Sequence, residues 1–89
     1  MKEEMKKKIE EVTQEMEEVS KDRDVPRNIR EKLKEAKKMV NEKESQNLNM
    51  SRAIYFMSEA SEDINIPFHT RTDLMNITSK LEKINEEIK

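Results

Sequence analysis

Four times along this chain, apolar residues recur at steps of three and four, each run long enough to make one amphipathic helix. Such spacing puts a run on a single helical stripe, whereas a half-buried strand needs strict alternation. Met5, Ile9, Val12, Met16 and Val19 form the first stripe, over residues 3–21. Ile29, Leu33, Ala36 and Val40 form the second, which reaches residue 43 with Met39 at its flank. The third helix, over residues 48–64, carries Met50, Ala53, Ile54, Phe56, Met57, Ala60 and Ile64. Its wider apolar arc predicts the most buried helix. Leu74, Ile77, Leu81, Ile84 and Ile88 mark the fourth.

Proline separates the members of each pair. Pro26 and Pro67 force the preceding residue into extended geometry yet suit a helix's first turn, so one helix ends and the next begins there. Glu44, Ser45, Gln46 and Asn47 are polar turn formers and read as the loop between the halves. The halves align without a gap at an offset of 41 residues, which pairs Pro26 with Pro67, Met16 with Met57, Glu18 with Glu59, Ser20 with Ser61, Asp22 with Asp63, Arg30 with Arg71 and Leu33 with Leu74. One hairpin cannot bury its own stripe, and a second copy supplies the missing face. The expected fold is therefore all-α: an up-and-down four-helix bundle of two αα-hairpin repeats, each with a proline turn, in a single domain over 1–89 with repeats at about 3–43 and 48–88. A pair of stacked HEAT-like repeats is the competing architecture, since the offset suits that class.

Composition then excludes chemistries. Glycine is absent, so phosphate-cradling loops, dinucleotide fingerprints and nucleophile elbows cannot be built. Cysteine is absent too, which removes disulfides, thiolate nucleophiles and cysteine metal ligands and agrees with a cytoplasmic location. Met1, Lys2, Glu3 and Glu4 open no apolar run, so neither a signal peptide nor a membrane association is expected. With 18 basic residues against 20 acidic ones, any pull toward a polyanion must be local.

Several constellations have candidate roles. His69, the sole histidine, has Asp73 one turn on, but two ligands do not make a zinc site; the expectation is no metal, with His69 packing or capping near the start of its helix. Asp22, Pro26 and Arg30 recur as Asp63, Pro67 and Arg71. The arginines are expected to hold the turns by charge-assisted bonds to the end of the preceding helix. Arg27, Arg30, Lys34, Lys37 and Lys38 share one flank of the second helix, a strip that would grip an anionic partner or else face the acidic first helix. Tyr55 projects away from its helix's apolar arc, and Phe68 with Met75 lies off the main stripe of the fourth helix. These three form a candidate partner surface. Carboxylate pairs such as Glu11 with Glu15 or Glu82 with Glu86 are ordinary on a solvated helix and assign no catalytic residue.

At its proline turns, through Val25, Pro26, Arg27, Asn28, Ile29, Arg30 and again Ile66, Pro67, Phe68, His69, Thr70, Arg71, the chain resembles uncharacterised protein family 0147. The resemblance implies a small archaeal protein folded as a compact bundle of four helices, and it brings no activity with it. The sequence thus leads to a non-enzymatic helical module without cofactors, whose partner is another protein or a second copy. A weak RNA- or ribosome-associated role through the basic strip is the alternative.

Overall fold

A computed structural model describes residues 2–88, so Met1 and Lys89, the ends of the expected domain, lie outside the described residues. Four helices fill the chain: α1 Lys2–Ser20, α2 Arg27–Asn41, α3 Gln46–Ser61 and α4 Phe68–Ile88. Each packs against its two neighbours in the ring α1, α2, α3, α4, and among the described residues no close backbone approach crosses the diagonal. The molecule measures 38 × 19 × 17 Å. A 21-residue helix is about 31 Å long, so the helices run along the long axis as an up-and-down bundle. The stacked-repeat architecture does not occur.

One apolar core runs through the ring, and it obeys the duplication. Met16 and Met57, Leu33 and Leu74, Val25 and Ile66, and Val40 and Leu81 are all buried pairs at the offset of 41. Met5, Ile9 and Val19 pack half-buried against the core, leaving Val12 and Met16 as the buried apolar residues of α1. Helix α3 is no more buried than its neighbours: it buries Met50, Ala53, Met57 and Ala60, against Ile29, Leu33, Ala36 and Val40 from α2. Two of its four core residues are alanines, which fill a position where helices approach closely without adding apolar area.

Helix ends depart from the expected limits for local reasons. Helix α3 stops at Ser61, so Ile64 lies in the following turn and not on the core stripe. Asp63 Oδ1 accepts the Asn65 backbone N–H at 2.8 Å, a side-chain turn that competes with helix continuation. Asp22 repeats this with the Asp24 N–H at 2.9 Å. At the opposite end of the bundle, α3 begins earlier than expected because Ser45 takes left-handed backbone angles, φ 53° and ψ 40°. Its carbonyl then accepts Asn49 N–H, and Asn49 Nδ2 returns a bond to the Glu44 carbonyl at 2.9 Å.

Candidate functional site

The two proline turns meet at one end of the bundle. His69 Nε2 lies 3.2 Å from Asp22 Oδ2, and Asn28 Nδ2 donates to Asp63 Oδ2 at 3.4 Å. His69 and Asn28 occupy equivalent positions in the two repeats, as do Asp22 and Asp63. The two contacts are therefore one reciprocal clasp, which relates the hairpins by an approximate dyad between the turns. The Asp22 carboxyl is held below the usual carboxylate range, first by the Asp24 N–H and then by His69. His69 neither packs in the core nor caps its helix beside Asp73 but is exposed and reaches across to the other hairpin.

Donor atoms of Asp22, Asp24 and His69 lie within 4.8 Å of one another, which invites comparison with a metal site. Internal bonds account for the arrangement: Asp22 spends one oxygen on a backbone N–H and the other on His69. The same geometry recurs in the second hairpin, where Asn65 and Asn28 stand in place of Asp24 and His69, and amides are poor transition-metal ligands. The cluster is a joint between hairpins.

The arginines diverge. Arg71 donates from Nε to the Ser61 carbonyl at 3.0 Å and from Nη2 to the Asp63 carbonyl at 2.7 Å, so its guanidinium ties the end of α3 to the start of α4. Arg30 sits at the equivalent place, but its Nε is buried without a partner. The basic strip of α2 is also partly committed. Lys37 pairs with Glu17 of α1 at 2.7 Å, and Arg27 lies 3.4 Å from Glu31 of its own helix. The Lys37 contact holds Glu17 below the usual carboxylate range. Lys34 and Lys38 remain exposed.

Along α1 and α4, a cleft of about 470 Å³ is lined by Glu15, Glu18, Asp22 and Asp73 together with Lys80 and Lys83. Its charges answer one another, as in the pair between Lys80 and Glu15. Nearer the chain ends, Lys8 meets Glu87 at 2.8 Å, which raises the lysine above its usual value.

The largest departure from a solvated exterior lies elsewhere. Ile64 is 88% exposed, Phe68 81%, Leu48 and Tyr55 61% each, and Met75 57%. All five belong to the second hairpin. At the offset of 41, their counterparts are Arg23, Arg27, Lys7, Gln14 and Lys34. At these five outward positions the repeats diverged, with polar or basic side chains on the first hairpin and apolar ones on the second. Helical phase places Tyr55, Phe68 and Met75 on the outside; it does not single out Leu48, at the edge of the expected helix, and it puts Ile64 on the core stripe because the end of α3 at Ser61 is not visible in the spacing. Comparing each outward position with its repeat finds all five.

Fold and surface together define a class: a small bundle of two duplicated αα-hairpins, joined through their turns, with large exposed apolar side chains on the second hairpin. Residues 1–84 match the model of Uncharacterised protein family (UPF0147), and the chain belongs to that family. A UPF0147 protein of Archaeoglobus fulgidus is 37% identical over 92% of this chain and 94% of its own length. One from Methanocaldococcus jannaschii is 40% identical over 78% of this chain and 75% of its own. A crystal structure of a protein from the same family from Thermoplasma acidophilum superposes with a TM-score of 0.83, at 34% identity, covering 89% of this chain and 94% of that one. The bundle is thus a family property, and the family carries no assigned activity.

Proposed function

We propose that this chain is a non-enzymatic protein-interaction module that binds through the outward face of its second hairpin. The observation that supports this reading is the segregation, among the described residues, of the five large exposed apolar side chains onto that hairpin, opposite polar or basic counterparts. Scattered exposed apolar residues need no explanation, but a set confined to one hairpin of a duplicated scaffold does. The groups with displaced titration, Lys8, Glu17 and Asp22, all sit in exposed contacts that join elements, which is scaffold chemistry and not that of a catalytic acid or base. The RNA alternative is weakened because Lys37 is paired with Glu17 and the Arg30 Nε is buried, leaving a short positive surface at Arg27, Lys34 and Lys38.

The test is co-purification from the native cell with nuclease present, comparing the wild type with Phe68→Ser, Tyr55→Ser and the Lys34→Glu, Lys38→Glu pair. The apolar variants should lose bound protein at unchanged melting temperature, and the charge reversals should not. Association that vanishes with nuclease or with the charge reversals would overturn the reading in favour of RNA.

A further inference from the structure

The exposed stripe of α3 has an internal symmetry that the rest of the surface lacks. Leu48, Arg52, Tyr55 and Glu59 follow one another at steps of four, three and four, so they share one line on the outside of the helix, opposite Met50, Ala53 and Met57. All four are exposed. Arg52 lies three residues before Tyr55 and Glu59 four after, about 4.5 and 6 Å along the axis. The two charges are too far apart to pair with one another, and among the described residues neither joins a salt bridge.

We infer that the partner covering this face is a second copy of the same chain, docked so that α3 packs antiparallel against α3 about a two-fold axis midway between Arg52 and Glu59, beside Tyr55. This inference rests on the interaction reading above and names its partner. Under that operator, residues equidistant from that midpoint on opposite sides meet, and a flank of one helix stays with the same flank of the other. Arg52 then faces Glu59 of the partner subunit, and Glu59 faces Arg52 of the partner subunit. Two unpaired charges per chain become two ion pairs per dimer, placed on either side of the tyrosines. Leu48, seven and a half residues before that midpoint, falls level with the turn after α3 that carries Ile64 of the partner subunit. Each end of the stripe thus supplies what the other end requires.

Area agrees. Side chains of this size carry roughly 150–250 Å² each when fully free, so at the exposures above Leu48, Tyr55 and Ile64 present on the order of 400 Å². A stable interface buries about 800 Å² from each partner, and the polar rim of Arg52, Glu59 and the serines beside them makes up the difference. The first hairpin cannot form the same contact, because Lys7, Gln14, Arg27 and Lys34 occupy the corresponding positions and like charges would meet across the axis. One face per chain is self-complementary, so association closes at a dimer.

Sedimentation equilibrium and light scattering of the intact chain across a wide concentration range decide the matter. The wild type should be dimeric at micromolar to millimolar concentration. Arg52→Glu alone and Glu59→Arg alone should each weaken the dimer roughly tenfold, since each loses both equivalent pairs. The two changes combined in one chain recreate the pairs with signs exchanged, and should restore dimerisation to within about threefold of the wild type. Tyr55→Glu should give a monomer with undiminished helicity. A wild type monomeric at millimolar concentration overturns the second-copy assignment; if co-purification still depends on Tyr55 and Phe68, the interaction reading stands and only its partner changes. A dimer indifferent to both charge swaps overturns the α3 axis. Loss of neither self-association nor co-purification in the apolar variants removes both proposals together.

Discussion

Thr70 is a residue at which the two repeats disagree inside the core. Its counterpart is Ile29, fully buried in α2, yet Thr70 is equally buried and its hydroxyl has no hydrogen-bond partner. A desolvated hydroxyl without a partner costs about 1–3 kcal/mol relative to the same shape without polarity. Thr70→Val should therefore raise stability by about 1 kcal/mol, measured by denaturant unfolding at unchanged m-value; a loss of stability would mean that the hydroxyl is satisfied in solution. The burial of Thr70 could not be seen from polarity patterning, which places threonine outside. It was visible in the repeat, because an aligned isoleucine marks the position as a core site. Leu33, Leu74, Met16 and Met57 needed no such help, since the three-and-four spacing places them inward directly.

Among the elements, helix number and order followed from periodicity and from Pro26 and Pro67, while the ends did not. Helix α3 ends at Ser61 because Asp63 turns on its own backbone, a competition that hydrophobic spacing cannot register when an apolar residue, Ile64, follows at helical phase. The turn arginines carry the same lesson. Sequence equivalence predicts one job done twice, whereas Arg71 holds two carbonyls at the end of α3 and Arg30 leaves its Nε buried and unsatisfied. Hydrogen bonds from a charged donor contribute about 1.5–3 kcal/mol when lost, so Arg71→Ala should destabilise by about 2–3 kcal/mol. Arg30→Ala should cost about 1 kcal/mol or less, because its removal also relieves an unpaired donor. Parallel chemical denaturation of the two variants checks this, and equal losses would show that Arg30 finds carbonyl partners as Arg71 does.

At the scale of the whole bundle, α1 is the least secured member. It buries Val12 and Met16 as apolar residues, and polar contacts bind it or the turn that follows it to the rest: Lys8 to Glu87 of α4, Glu17 to Lys37 of α2, and Asp22 to His69 of α4. These joins between distant segments were not legible in the sequence, because the charge pattern that gives each helix a solvated face is compatible with many pairings, and only the ring order selects one. Their titration sets a pH window. Glu17 and Asp22 lie below their ordinary values, so the stabilisation they contribute is complete above the usual carboxylate range and is lost as pH falls through their depressed values. Lys8 lies above its ordinary value, so its contribution is complete below the usual lysine range and is lost as pH rises through the raised value. Since each group fastens α1 or its turn, both edges of the window should loosen that helix first. Amide hydrogen exchange followed by mass spectrometry at decreasing pH, corrected for the intrinsic rate, should show α1 losing protection before α3. Glu17→Gln together with Asp22→Asn should flatten the acid-side decline while lowering stability at neutral pH. If α1 and α3 lose protection together in the wild type, the bundle opens as one unit and the polar joins do not govern its weakest seam.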